Sequence, residues 1–118
     1  MIKLKPLPLK DISINDLFWN KYIKLVPDVI IPYQWDILND RVEGAEPSHC
    51  ISNFKIAAKE EKGEFKGAVF QDTDLAKWLE AVAYSLEWNP DKELEKTADE
   101  VIDLIGKAQD DTGYLNTY

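Results

Sequence analysis

The chain has 118 residues, 45% hydrophobic and 31% charged, with a formal net charge of −8, enough apolar content for one folded domain or part of a larger one and too much for a disordered chain. The acidic balance, with lysines scattered and no basic stripe, excludes a nucleic-acid-binding surface and attraction to anionic lipid. A single cysteine, Cys50, excludes an internal disulfide, and no apolar run approaches the ~20 residues of a membrane span or a signal-peptide core, so a cytoplasmic protein is expected.

Residues 1–14 place Ile2, Leu4, Leu7, Leu9, Ile12 and Ile14 around Pro6 and Pro8. Proline cannot donate to a sheet ladder, so this reads as an extended lead-in of edge-strand character. Asn15 or Asp16 then caps a first helix carrying Leu17, Phe18, Tyr22, Leu25 and Val26, with Pro27 expected to end it. A second short helix starts near Pro32 and includes Trp35, Ile37 and Leu38. After the turn Glu43–Pro47, Ser48 is placed to cap a third helix with Ile51, Phe54, Ile56 and Ala57.

A polar, Gly-punctuated loop follows at residues 60–67. From Asp72 or Thr73 as cap, Leu75, Trp78, Leu79, Val82, Ala83 and Leu86 recur on one helical face. Asn89-Pro90 reads as a cap followed by proline at the first helical position, and the next face carries Leu94, Ala98, Val101, Ile102, Ile105 and Ala108. Two long helices joined by a tight turn make a helical hairpin. One hairpin cannot hide two apolar faces, so further helices are expected to stack beside it. The last residues, Gln109–Tyr118, place an aromatic, polar-tipped loop after the final helix, like one wall of a pocket. The expectation is therefore that this is the front part of a larger enzyme.

Four groups of residues are candidates for chemistry. Asp72 and Asp74, near a helix start, are either an acid/base pair of the kind used on glycosides or a cap and a dipole-favouring charge. His49-Cys50 suggests a nucleophile or ligand, but one His and one Cys cannot close a metal site, and a buried structural cysteine is the plainer assignment. Tyr33-Gln34-Trp35 offers an amide between two aromatics, suited to sugar hydroxyls with Trp35 as a stacking platform, or else an ordinary helix with a core tryptophan. The terminal loop offers Tyr114, Asn116, Thr117 and Tyr118 around Gly113, a binding loop or a simple helix C-terminal turn.

Several blocks together resemble one family: Phe18-Trp19, Tyr33-Gln34-Trp35, Gly44-Ala45-Glu46-Pro47-Ser48-His49, the run Gly67–Ala81, Ala98–Ile105, and Gln109 with Gly113–Tyr118. In order and spacing they are similar to the N-terminal part of glycoside hydrolase family 127, whose type is the β-L-arabinofuranosidase. The resemblance implies an all-α fold, the first hairpins of an incomplete (α/α)6 barrel, with residues 1–14 as lead-in and 15–118 as the N-terminal part of the catalytic domain. It implies release of L-arabinofuranose from arabino-oligosaccharides with retention, by a zinc-bound cysteine thiolate and a glutamate acid/base. Those groups and the zinc ligands belong to downstream parts of family members, so no catalytic or metal-binding residue is expected here, and Cys50 does not inherit the thiolate role. The residues implied to touch substrate are Gln34, near the leaving-group subsite, and Tyr114, Asn116 and Tyr118. The implied partners are an oligosaccharide and the remainder of the chain's own polypeptide, and the 118 residues alone are expected to be inactive. The alternatives are another glycan hydrolase on the same toroid and a non-catalytic helical interaction or carbohydrate-binding module.

Overall fold

The computed structural model describes residues 4–118. Its regular elements are all helical: a 3-10 turn at Leu9–Asp11, α1 at Trp19–Leu25, a π-helical turn at Val26–Ile30, α2 at Ile31–Leu38, α3 at Cys50–Ala57, α4 at Asp72–Trp88 and α5 at Lys92–Ala108. No helix among the described residues is long and apolar enough to cross a membrane. The lead-in differs from expectation. Pro8 is extended, but the backbone then turns, Asp11 and Ile12 donating to the Pro8 and Leu9 carbonyls at 3.0 Å each, and the turn packs on α4. An edge strand needs a ladder to join, and no strand exists among the described residues. Ile2, the first residue of the expected alternation, lies outside the described residues.

Asp16 initiates the first helical segment, its Oδ1 accepting the Phe18 and Trp19 amides at 2.8 Å each. Pro27 does not end that segment, as the sequence suggested. The helix widens instead into the π turn, where the Ile31 N–H reaches the Val26 carbonyl five residues back, and α2 follows directly. Proline removes one bond from the helical ladder, and a π turn beside it lets the helix continue where it would otherwise stop.

α2 is fastened to α4 by two tryptophans. Trp35 and Trp78 stack with centroids 4.6 Å apart at 28°, and Trp78 Nε1 donates to the Ile31 carbonyl at 3.1 Å. α3, α4 and α5 pack mutually around Cys50, Ile51, Phe54, Leu75, Val82, Ala98, Val101 and Leu104, with Ile31, Leu38 and Trp78 completing the core. The two predicted helical faces are largely those buried. Ala83 and Ile102, at the margins of their stripes, are exposed, and Leu104 takes the place expected of Ile102.

Helix starts depart from the sequence reading in three places. α3 is capped partly by Ser48, whose Oγ accepts the Cys50 amide at 3.2 Å, and partly from a distance. The Asp40 carboxylate accepts the Ser48 amide at 2.6 Å and the His49 amide at 3.0 Å, holding His49 in the left-handed region at φ 56°. α5 is capped by Asp91, not Asn89: Asp91 Oδ1 accepts the Glu93 and Leu94 amides at 2.9 and 3.1 Å. Asn89 is still occupied closing α4, its N–H bonded to the Ser85 carbonyl. Asp72 does not cap α4 either, as described below.

The loop between α3 and α4 is pinned from beneath by Asn53, buried on α3. Its Nδ2 donates to the Lys66 carbonyl at 2.8 Å and its Oδ1 accepts the Lys66 amide at 3.1 Å, so one side chain satisfies both polar groups of a loop residue. Gly67 follows at φ 91°, where a side chain would be strained and an added Cβ would strike Gln71 Oε1. That oxygen accepts the Ala68 amide at 2.9 Å, closing the entry to α4.

Candidate functional site

The first turn of α4 is the junction at which the candidate residues gather, on two sides. On one side, Gln34 is exposed on α2 and lines an open groove of about 230 Å³ with Ile30, Ile37, Ser48, Asp74 and Lys77. Lys77 Nζ lies 3.0 Å from Asp74 Oδ1 and 3.2 Å from Thr73 Oγ1, so the groove's polar edge is a solvated ion pair beside an amide. An exposed amide here can donate to and accept from sugar hydroxyls. Its neighbour Trp35 has one face taken up by Trp78, so the ring serves the core as the plainer assignment had it.

On the other side lies the terminal loop, which is ordered by its own acidic residue. Asp110 Oδ1 accepts the Thr112 amide at 2.8 Å, the Thr112 hydroxyl at 2.6 Å and the Tyr114 amide at 3.0 Å. These bonds, the Thr112 hydroxyl foremost, hold the Asp110 carboxyl below its ordinary range. Gln109 Nε2 donates to the Gly113 carbonyl at 2.6 Å, and Gly113 takes the positive φ of 88° that the turn requires. Tyr114 and Tyr118 are 64% and 76% exposed, which leaves their rings and hydroxyls open to a ligand or a further surface. Tyr114 Oη accepts from Asn116 Nδ2 at 3.3 Å, Asn116 Oδ1 accepts the Tyr118 amide at 3.0 Å, and the Tyr118 ring meets Phe65 edge-on at 5.2 Å. Tyr114, Asn116 and Tyr118 are thus brought together as one polar-aromatic cluster. The groove that Gln34 lines includes none of them.

Asp72 connects this loop to the body. Its Oδ2 accepts the Thr117 amide at 2.8 Å and its Oδ1 the Thr117 hydroxyl at 2.6 Å. With Asp72 committed to Thr117 and Asp74 to Lys77, neither carboxylate is arranged as an acid/base partner of the other. Asp72 escaped the sequence reading because an aspartate ahead of a helical face is indistinguishable from a cap. Nothing local announces a partner 45 residues away.

Cys50 is fully buried, its thiol donating to the Gln71 carbonyl at 3.4 Å. Burial, reinforced by the nearby Asp72 charge, pushes the thiol up to about 12. That is opposite to what a nucleophile needs, and the structural assignment stands. Among the described residues no three His, Cys, Asp or Glu side chains come together as a possible metal site. The donors among the described residues do not form a site for the zinc that the resemblance implies.

Comparison with known proteins agrees with this architecture. The family model for the β-L-arabinofuranosidase catalytic domain of glycoside hydrolase family 127 matches residues 11–118. The chain belongs to that family. It is 40% identical to a non-reducing end β-L-arabinofuranosidase of Bifidobacterium longum subsp. longum, over 91% of this chain and 18% of the relative. The crystal structure of a family 127 β-L-arabinofuranosidase from Geobacillus stearothermophilus T6 superposes with a TM-score of 0.87 at 62% identity, covering 90% of this chain and 17% of that one. A second solved family 127 β-arabinofuranosidase gives a TM-score of 0.80 at 31% identity, over 95% of this chain and 17% of its own. The chain therefore spans under a fifth of the length of these relatives. Its helices correspond to the N-terminal part of family 127 structures, an arc consistent with an incomplete α/α barrel.

Proposed function

We propose that this chain forms one wall of the sugar site in a retaining β-L-arabinofuranosidase-like hydrolase, which releases L-arabinofuranose from the non-reducing ends of arabino-oligosaccharides. The observation carrying this reading is the family match across residues 11–118, which embraces both the Gln34 groove and the terminal loop. In this scheme Gln34 hydrogen-bonds the leaving-group sugar, while Tyr114, Asn116 and Tyr118 contact the furanosyl unit, the tyrosines through ring faces and hydroxyls and Asn116 through its amide. The reaction requires an activated nucleophile and a carboxylic acid to protonate the departing oxygen. Cys50, buried and firmly protonated, is unsuited to the first role. The nucleophile, the acid/base and the zinc ligands are accordingly proposed to come from the rest of the polypeptide, and the 118 residues alone to be inactive.

The test is a segment exchange. Residues 11–118 replace the matching part of the Geobacillus enzyme, to which this chain is 62% identical. The chimera is expected to release 4-nitrophenol from 4-nitrophenyl β-L-arabinofuranoside, and Gln34→Ala within it to weaken use of disaccharide substrates. A chimera that folds cooperatively yet is inactive would overturn the proposal.

A further inference from the structure

Asp72 opens α4, where a carboxylate ordinarily turns back onto the free amides of its own helix. It faces outward instead, and both oxygens are committed to one residue, Thr117, at 2.8 and 2.6 Å. Hydrogen bonds to an ionised acceptor are among the stronger ones, and a two-point grip fixes orientation as well as distance. The platform from which Asp72 reaches is itself fixed. The preceding Gln71 accepts the buried Cys50 thiol through its carbonyl and closes the Gly67-Ala68 turn through its side chain. α3, the start of α4 and the loop tail are therefore tied in series.

The loop has two sets of anchors. Asp110 and Gln109 fix its first half up to Tyr114, all within the loop and the end of α5. Beyond Tyr114, Thr117 is hydrogen-bonded to Asp72 on α4, and the Tyr118 ring meets the edge of Phe65 in the α3–α4 loop. Thr117 sits between Asn116 and Tyr118. Holding its amide fixes the peptide plane shared with Asn116, and holding its hydroxyl fixes which face of the loop turns inward.

We propose that Asp72 is a positioning residue, whose carboxylate grips Thr117 and thereby holds the Asn116 and Tyr118 side chains at the furanosyl unit. This rests on the sugar-wall reading above; the grip itself does not. Two readouts on the segment-exchange enzyme separate them: amide exchange of the peptide covering residues 110–118, and steady-state kinetics on 4-nitrophenyl β-L-arabinofuranoside. Asp72→Ala is expected to speed exchange in the loop tail and raise KM by about tenfold or more, the scale of a lost charge-assisted bond, with kcat moving far less. Thr117→Val, which keeps the amide donor and loses the hydroxyl, is expected to show a smaller rise of the same kind, and Thr117→Ser to restore it. That rescue, and a split favouring KM, would not come from general destabilisation. Unchanged exchange in Asp72→Ala would overturn the grip. Faster exchange with unchanged KM would overturn the positioning role while leaving the grip in place. An inactive parent chimera would sink the functional reading and with it the sugar-facing half of this proposal, the exchange data still deciding the grip.

Discussion

The N-terminal arm and the α3–α5 layer are built from similar residues and fare very differently. The arm, from Leu17 through Ile30, carries Leu17, Phe18, Trp19, Tyr22, Leu25, Val26, Val29 and Ile30, and neither α1 nor the π turn buries a single residue. Phe18, Trp19 and Tyr22 pack on one another, with Lys21 over two of the rings. The α3–α5 layer, with no greater share of aromatics, closes over Cys50, Phe54, Leu75, Val82 and Val101. Apolar content alone does not make a core. Faces must meet, and among the described residues those of α2 to α5 meet closely enough to bury side chains.

The comparison is broken or sharpened most strongly by two tryptophans. Trp78, 4% exposed, stacks on Trp35 and bonds Ile31, whereas Trp19 is 56% exposed. Trp78→Ala is expected to cost about 3–5 kcal/mol in urea unfolding, the usual range for deleting a buried large aromatic, and Trp19→Ala less than about 1. Equal losses at the two sites would mean that the arm is covered by something in solution. Asn53→Ala comes next. It removes both partners of the Lys66 backbone at a part-buried contact, for an expected loss of about 1–3 kcal/mol in all, the net worth of two such bonds. Asn53→Asp is not expected to rescue it, since a carboxylate can accept the Lys66 amide but only repels the carbonyl.

These contrasts also mark what was legible in the sequence. The faces of α4 and α5 could be read because a 3.6-residue period is a local property, and Leu75, Trp78, Val82, Ala98 and Val101 are buried as the period requires. The family, too, was legible in the blocks around Gln34, Gly67–Ala81 and the terminal loop. What escaped was every decision made across distance. Pro27 looks like a helix end until α2 is seen to continue beyond a π turn. Asp72 looks like a cap until Thr117 arrives to claim it. Asp40 caps α3 from outside that helix altogether, and Asn53, one polar letter in a helical run, gives no sign that it pins a loop. For the same reason the sequence could place Tyr114, Asn116 and Tyr118 in one loop but not say what holds that loop.

Gly67 gives a smaller, backbone-level test in the well-packed half. At φ 91° an alanine is strained, and its Cβ meets Gln71 Oε1, the atom that closes the entry to α4. Gly67→Ala is expected to cost about 1–3 kcal/mol. Gly106, where an added Cβ meets nothing within 4 Å, lies in the last turn of α5. Gly106→Ala there should stabilise by up to about 0.5 kcal/mol, less than in a helix interior. A thermal melt of the two variants should move in opposite directions, and a shift of the same sign would mean that the turn at Gly67 relaxes.

A further effect is visible only at high pH. The Cys50 thiol is held at about 12 against an ordinary value of 9.0, because ionising it inside the α3–α4 contact would strand a charge beside Asp72. The unfolded chain loses this proton above pH 9 while the folded chain keeps it, so the folded state binds more protons and stability falls as pH rises. The contribution is fully present below about pH 9 and is lost progressively up to about pH 12. One unit into that window the loss is about 1.4 kcal/mol. Tyrosines and lysines titrate in the same range, so the measurement is a difference. Urea midpoints at pH 8 and 10 for the wild type are set against those of Cys50→Ala, whose own cavity cost is the same at both. The wild type should lose more between the two values than the variant. Iodoacetamide should meanwhile leave Cys50 unmodified until the α3–α4 contact opens. Parallel midpoints, or alkylation of the folded chain at pH 8, would mean that the thiol is within reach of water and that this half of the molecule is no better closed than the arm.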